Sequence, residues 1–331
     1  MTTVLASINQ GLKTCLRESE AVYLFGEDIL DPYGGAFKVT LGLSTAFKER
    51  VVTTPISEAG FIGLATGMAM RGLRPVVEIM FGDFITLGMD QLINHAAKMR
   101  WMSADEVRVP LVVRTPMGGR RGYGPTHSQS LEKHLLGTPG LRVLAPNGFS
   151  SPGDLLINAV LHDDDPVLFV EHKLLYGLEV WDIDGGDDFE LETTKSLYPV
   201  SRIRLAGAPA PDVTIGAYGY SAHLAVEAIR ILGYKHEVFA EVVTPTQLSP
   251  ACHETFLQHV RETRKIITVE EAPGEFGWGA EILAGLQGSD LPGLQCGRVS
   301  AQSMPVPSSG PLENAVLPQV EDIISAVLSL V

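Results

Sequence analysis

The stretch Thr53-Thr54-Pro55-Ile56-Ser57-Glu58-Ala59-Gly60-Phe61-Ile62-Gly63-Leu64-Ala65-Thr66-Gly67-Met68-Ala69-Met70 decides how this chain folds. The β-branched run from Val51 reads as a strand, Pro55 stops it, Ser57 is placed to cap a helix, and Glu58 falls in the first helical turn. One acid therefore stands at a strand-to-helix switch. No charge follows Glu58 until Arg71, and Gly60, Gly63 and Gly67 recur along one helical face. Each glycine costs a helix about 1 kcal/mol relative to alanine, so the spacing predicts a face that another backbone approaches closely. A carboxylate at the mouth of such a helix is shielded from water. Burial raises its pKa and the helix N-terminus opposes the rise. An acid that only complements the helix dipole is the simpler reading of the same residue.

Outward from this switch, short apolar runs alternate with helical patterns. Ala21–Phe25, Val51–Thr54, Pro75–Met80, Val109–Arg114, Arg142–Leu144 and Val167–Val170 read as strands, most of them separated by enough chain for a crossover helix. That alternation predicts an α/β fold, a mostly parallel sheet with helices on both faces, in which ligands gather at the carboxyl ends of the strands. Glu27, Glu58, Phe84 and the loop after Arg114 all lie just past such ends.

Between about Gly177 and Asp212 the pattern fails. Residues 182–189 are acidic and glycine-bearing, and Ala206-Gly207-Ala208-Pro209-Ala210-Pro211 is a turn-rich break, so this part reads as a connection holding one short strand. A second α/β unit follows. Its strands are Val213–Tyr218, Glu237–Val243, Ile266–Glu270 and Val299–Ala301, and its helices lie around Glu254–Arg264, Gly279–Leu286 and Glu321–Leu330. A further helix is capped by Ser221 and ended by Gly233.

The totals narrow the function. With 331 residues, 45% hydrophobic and 19% charged, the chain has material for roughly two domains with ample cores. Its net charge of −14 argues against binding nucleic-acid phosphates or an anionic membrane surface. Cys15, Cys252 and Cys296 are scattered and odd in number, which suggests neither a disulfide framework nor a metal site and fits a reducing cytoplasm. No signal peptide opens the sequence, and no apolar run is long enough to span a membrane.

Neither a GxGxxG turn nor a Walker lysine is present, so the familiar nucleotide cradles are missing. Gly118-Gly119-Arg120-Arg121-Gly122-Tyr123-Gly124-Pro125 reads either as a mobile or interface loop or as a contact for an anionic substrate or partner. His127, beside Thr126 and Ser128, suits acid–base work or a structural hydrogen bond. Phe81 and Phe84 flank a turn and are read first as core.

Taken together these stretches resemble one family, the beta subunit of the thiamine-diphosphate-dependent decarboxylase component of 2-oxo acid dehydrogenase complexes. The resemblance runs through Gly26-Glu27-Asp28-Ile29, Tyr33-Gly34-Gly35-Ala36-Phe37-Lys38-Val39-Thr40, Thr54-Pro55-Ile56-Ser57-Glu58, Gly72-Leu73-Arg74-Pro75, Asp90-Gln91, His127-Ser128, Pro139-Gly140-Leu141-Arg142-Val143, Leu312-Glu313 and Leu317-Pro318-Gln319. It spans nearly the whole chain. It implies a pyrimidine-binding domain over residues 1–180, a linker over 181–201 and a transketolase C-terminal type domain over 202–331.

The resemblance also assigns roles. Glu58 matches the carboxylate on the pyrimidine nitrogen, whose hydrogen bond favours the tautomer that deprotonates the thiazolium carbon. Glu27 matches an acid coupled to Glu58. Ile56, Met80 and Phe84 match pocket positions around the pyrimidine, and His127 matches a histidine that assists acyl transfer to lipoate. The Gly-Asp-Gly motif for diphosphate and magnesium is absent from this chain, as in the family, where the alpha subunit carries it. The implied enzyme is an oxidoreductase of the pyruvate or branched-chain type, active as an α2β2 heterotetramer that can work with a lipoyl acyltransferase. The glycine face from Gly60 to Gly67 would meet a neighbouring subunit. Thr126 replaces the family's glutamine, and Val242-Val243-Thr244-Pro245 replaces its Asp-Leu-Arg-Thr element. A split thiamine-dependent carboligase or transketolase-like transferase is the alternative, followed by a scaffold subunit without catalysis.

Overall fold

The computed structural model describes residues 2–181 and 188–331. Most of the acidic stretch expected to connect the two halves, residues 182–187, lies outside the described residues. Contacts gather the chain into two compact units. One comprises Met1–Met117, His134–Pro146 and Ser151–Val180; the other comprises Gly118–Lys133, Asn147–Ser150 and Trp181–Val331.

In the first unit the strands are β1 (Val22–Gly26), β2 (Val51–Thr53), β3 (Arg74–Glu78), β4 (Val112–Met117), β5 (Arg142–Leu144) and β6 (Val167–His172). They lie in the order β5-β6-β4-β3-β1-β2, every pair parallel. All residues of β4 and β6 are buried, as central strands covered on both faces must be. The sequence places β4 three residues early. Pro110 has no N–H to give a ladder, so the approach to the sheet is irregular and pairing begins at Val112.

The helix after β2 runs Glu58–Met70 and buries Glu58, Phe61, Ile62, Ala65, Thr66 and Ala69. Ser57 occupies the cap position, but its side chain accepts no capping hydrogen bond. Its Oγ lies instead over Gly60, where a Cβ would come within 2.9 Å of it. Among the described residues, no second backbone makes the expected close approach to the glycine face. A Cβ on Gly67 would meet nothing within 4 Å, and one on Gly63 only the Gln91 side chain at 3.6 Å. Leu64, on the same side of the helix, is exposed.

The second unit contains β7 (Phe189–Thr193), β8 (Val200–Leu205), β9 (Val213–Ala217), β10 (Ala240–Pro245), β11 (Gln247–Ser249), β12 (Lys265–Pro273) and β13 (Gln295–Ala301). Its sheet has the order β13-β12-β9-β10-β8-β7, with β13 to β10 parallel and β8 and β7 antiparallel. The helices Gly219–Ile231 and Val320–Leu328 bury Val226, Ile229, Ile323 and Val327 in a core with Ile215 and Val242.

Among the described residues between Gly177 and Asp212 there are two strands, not one. In β7, Phe189 and Leu191 pack against the core and alternate with Glu190 and Glu192, which stand opposite Arg204 and Arg202, with Arg204 Nε donating to Glu190 Oε2 at 2.6 Å; the acidic, glycine-bearing residues just before the strand obscure this pattern. Nor does Gly233 end its helix, which continues in a wider turn through Leu232–His236. A Cβ at Gly233 would lie 2.3 Å from Leu205 Cδ1, so close packing on β8 accounts for the glycine. Ser221 sits inside the first turn rather than at the cap, which is Tyr218.

Candidate active site

Strands β1 and β2 are parallel neighbours, with Gly26 opposite Thr53, so the residues that follow each emerge at one sheet edge. Glu27 comes directly after Gly26 and Glu58 opens the helix after β2. Both are buried, 7% and 5% exposed. Burial first, then the charges of Glu58 and Asp28, push the Glu27 carboxyl above the usual range. Glu27 Oε1 and Thr54 Oγ1 are buried with no hydrogen-bond partner among the described residues. Buried polar atoms are normally satisfied, so this edge is built to receive a polar group. Two coupled acids can share one proton, and one of them can hold a ring nitrogen.

Met80 and Phe84 follow β3, which is the other neighbour of β1. Phe84 lies in the 3-10 segment Gly82–Gly88 and is half-buried. Its ring meets Phe81 edge-on, with centroids 6.1 Å apart, and Phe81 meets Phe37 the same way at 5.4 Å. A Cβ on Gly88 would fall 2.2 Å from Ile62 Cδ1, so this segment is packed tightly on the helix that Glu58 opens. Met80 is half-buried, while Ile56 is 86% exposed, unusual for a large aliphatic side chain. The fold thus gathers Glu27, Glu58, Met80 and Phe84 after three adjacent strands. Ile56 shares the turn after β2 but stands in solvent.

The same edge holds a buried ionic cluster that the sequence reading does not single out. Arg114 donates through Nε to Glu171 Oε1 at 2.7 Å and through its other nitrogens to Glu78 and Glu171, while the Tyr176 hydroxyl donates to Glu171. Glu78 and Arg114 are register partners on β3 and β4. Burial lifts the Glu78 carboxyl even beside Arg114. Opposite charges near the ends of two otherwise apolar strand runs are the signal that could have found the cluster.

His127 belongs to the second unit, on the segment Gly118–Lys133. It is half-buried, and its Nδ1 lies 3.0 Å from Thr126 Oγ1. The glycine-rich loop before it is held from within the chain, by carboxylates of Glu271 and Glu313 on its backbone N–H groups. Those donors are therefore not open to an anionic ligand. Glu132, on the same segment, is buried and accepts from the Tyr218 hydroxyl. Burial pushes its carboxyl up to about 7, against the Tyr218 hydrogen bond and with help from the charges of Glu270 and Glu271. Sequence reading misses Glu132 because nothing in its local pattern marks it as buried. Among the described residues, no group of three or more His, Cys, Asp or Glu is placed to hold a metal ion.

A family model of the transketolase pyrimidine-binding domain matches residues 1–179, and one of the transketolase C-terminal domain matches residues 205–323. The mitochondrial pyruvate dehydrogenase E1 component subunit beta-2 of Oryza sativa subsp. japonica is 36% identical over 327 residues, covering 98% of this chain and 85% of that protein. The mitochondrial subunit beta of Saccharomyces cerevisiae is 36% identical over 329 residues, covering 98% and 87%. That of Rattus norvegicus is 35% identical over 337 residues, covering 98% and 89%. All three are mitochondrial by name, which lends the cytoplasmic expectation no support. Among the described residues, no helix is long and apolar enough to cross a membrane. A solved structure described as a split gene transketolase, inactive beta4 tetramer, shares the fold at a TM-score of 0.77 and 19% identity, covering 99% of this chain and 98% of that one.

Proposed function

This chain belongs to the family of pyruvate dehydrogenase E1 beta subunits, and on that premise we propose that it decarboxylates a 2-oxo acid with thiamine diphosphate, together with an alpha subunit, and passes the acyl group to lipoate. The carrying observation is the buried pair Glu27 and Glu58 at the carboxyl edge of the first unit's parallel sheet, with Glu27 Oε1 lacking a partner among the described residues. Such an edge fits the polar aminopyrimidine of thiamine. The half-buried aromatic Phe84 and the thioether of Met80 fit its flat apolar faces.

When bound, thiamine diphosphate supplies the electron-accepting carbon on which a 2-oxo acid loses carbon dioxide. This chain's residues do the rest on its side of the site. Glu58 holds the pyrimidine ring nitrogen and keeps a proton there. Glu27, its own proton retained by burial and by the charge of Glu58, keeps a second full negative charge from the pair. Phe84 and Met80 line the ring and exclude water, and Ile56, exposed in this chain, joins them only when the neighbouring subunit covers it. His127 holds or delivers a proton during acyl transfer.

Magnesium and the cofactor's diphosphate belong mainly to the alpha subunit, whose Gly-Asp-Gly motif this chain lacks. An α2β2 assembly follows, in which the exposed Ile56, Leu64 and glycine face of Glu58–Met70 meet a neighbouring subunit. We assign residues 1–180 to pyrimidine binding and 202–331 to the C-terminal domain, with 181–201 between them. A lipoyl acyltransferase is the acceptor partner. The compartment is a reducing one, the cytoplasm in a cell without the relatives' organelle.

The test mixes the chain with its alpha partner, thiamine diphosphate and magnesium, and follows decarboxylation across pyruvate and branched-chain 2-oxo acids. Activity in the mixture but not in either chain alone supports the reading. A complex that forms yet decarboxylates none of these acids contradicts it.

A further inference from the structure

His127 is carried by a segment whose base is tied to two acids distant in sequence. Gly118, Arg120, Gly122 and Gly124 all have positive φ, 88°, 69°, 69° and 77°. Arginine takes that conformation only when something compensates its strain. The compensation is a set of hydrogen bonds to carboxylates. Gly119 N–H donates to Glu271 Oε1 at 2.7 Å, Arg120 N–H to Glu313 Oε1 at 2.7 Å, and Gly122 N–H to Glu313 Oε2 at 3.1 Å. The Arg120 side chain returns to Glu271 Oε2 through Nε at 3.2 Å, and donates also to Gln319 Oε1 and the Pro318 carbonyl.

Both acids are nearly inaccessible, 6% and 2% exposed, so these charge-assisted bonds are little screened. Gly119 seats the loop on its floor, since a Cβ there would lie 2.6 Å from Leu317 Cδ1. Gly118 N–H then donates to the Gln129 carbonyl at 3.2 Å, closing residues 118–129 around His127, and His127 N–H donates to the Gly124 carbonyl at 3.2 Å. Fixing the loop's base therefore fixes where the histidine stands.

We propose that Glu271 and Glu313 are positioning residues for the acyl-transfer step, acting through the loop that presents His127. The proposal rests on the role given to His127 above. Neither acid touches the reacting groups in it; each acts through backbone N–H groups five or more residues before the histidine. A glutamine at 313 keeps one acceptor oxygen and turns an NH2 toward the second N–H. An aspartate keeps both oxygens but withdraws them by about 1.5 Å, one carbon–carbon bond.

The experiment uses the full chain assembled with its alpha subunit, and compares wild type, Glu313→Gln, Glu313→Asp, His127→Ala and the double variant Glu313→Gln/His127→Ala. Three readouts are taken: decarboxylation with an artificial electron acceptor, acyl transfer to lipoamide, and amide hydrogen exchange across residues 118–129. Displacing a reacting group by about an ångström costs up to roughly a hundredfold, so Glu313→Gln is expected to slow transfer roughly tenfold or more. Decarboxylation stays near wild type, exchange across 118–129 quickens, and Glu313→Asp recovers part of the loss. In the His127→Ala background, Glu313→Gln adds no further loss.

The same factor lost in both backgrounds, or unchanged exchange across 118–129, overturns the proposal. Full transfer activity in His127→Ala overturns the underlying role of His127, and is told apart because it needs no change at Glu313. Should Glu313→Gln fail to assemble, Glu271→Gln reads the same clamp through Gly119 N–H, with the same outcomes deciding.

Discussion

Glu27, the first residue after its strand, and Glu58, the first residue of the helix after the neighbouring strand, are both buried, and burial first and then the charge of Glu58 raises the Glu27 carboxyl. The pair therefore resists carrying two charges. Glu27 keeps its proton above the range where an unfolded glutamate loses it, near 4.5. The native state then binds more protons than the unfolded chain, so stability is highest below that range and falls as pH rises through the elevated pKa. Glu27→Gln removes this loss. Thermal unfolding followed against pH is expected to fall less steeply for the variant than for wild type; parallel curves would show that Glu27 is not held protonated.

His127→Ala tests whether acyl transfer can be separated from decarboxylation. Positioned acid–base groups contribute about a hundredfold or more, so acyl transfer to lipoamide should fall by that order while decarboxylation with an artificial acceptor is largely kept. Equal losses in both assays would assign His127 to cofactor placement. The Nδ1 contact with Thr126 predicts a milder version for Thr126→Val, which keeps shape but removes the hydroxyl.

Glu132 supplies a second pH window. Its carboxyl is pushed up to about 7 by burial, with Tyr218 donating to it and the charges of Glu270 and Glu271 raising it further. The sign matches that at Glu27: stability is fully present below about 4.5 and declines as pH rises through 7. Glu132→Gln keeps an acceptor for Tyr218 and should flatten the decline between those values. A variant whose melting temperature tracks wild type across that window contradicts the burial argument.

Arg114 is fully enclosed between Glu78 and Glu171. Removing one member of a buried ionic group leaves uncompensated charge and costs about 3–5 kcal/mol, so Arg114→Met should lower stability by that order in denaturant unfolding. The loss should shrink in acid, where Glu78, its carboxyl lifted by burial, accepts a proton. A variant as stable as wild type at neutral pH would mean that the pair contributes little.

Much of this arrangement is legible in the sequence, for particular physical reasons. Pro55 breaks a β-branched run and Glu58 opens an uncharged helix, so the switch and its buried acid follow from local chemistry. Parallel alternation then places Glu27 and Phe84 at the same edge. The clamp on the His127 loop is not legible, because glycine-rich N–H groups look alike whether a ligand or an internal carboxylate will take them. Their partners, Glu271 and Glu313, lie more than a hundred residues away. β7 is a five-residue strand whose alternation of Phe189 and Leu191 with Glu190 and Glu192 carries a strand signal, but the acidic, glycine-bearing run just before it makes the whole stretch read as a connection. Gly60, Gly63 and Gly67 signal close approach, but among the described residues no second backbone answers it, and that is why the face is assigned to another subunit.

Hydrogen–deuterium exchange at the thiazolium carbon of thiamine diphosphate measures the proposed work of Glu58 without depending on the substrate. In the chain assembled with its alpha subunit, exchange should be much faster than for the free cofactor, and in the Glu58→Gln assembly it should fall back toward the free rate while the complex stays intact. Wild-type exchange in Glu58→Gln would contradict the central claim that this buried carboxylate activates the cofactor.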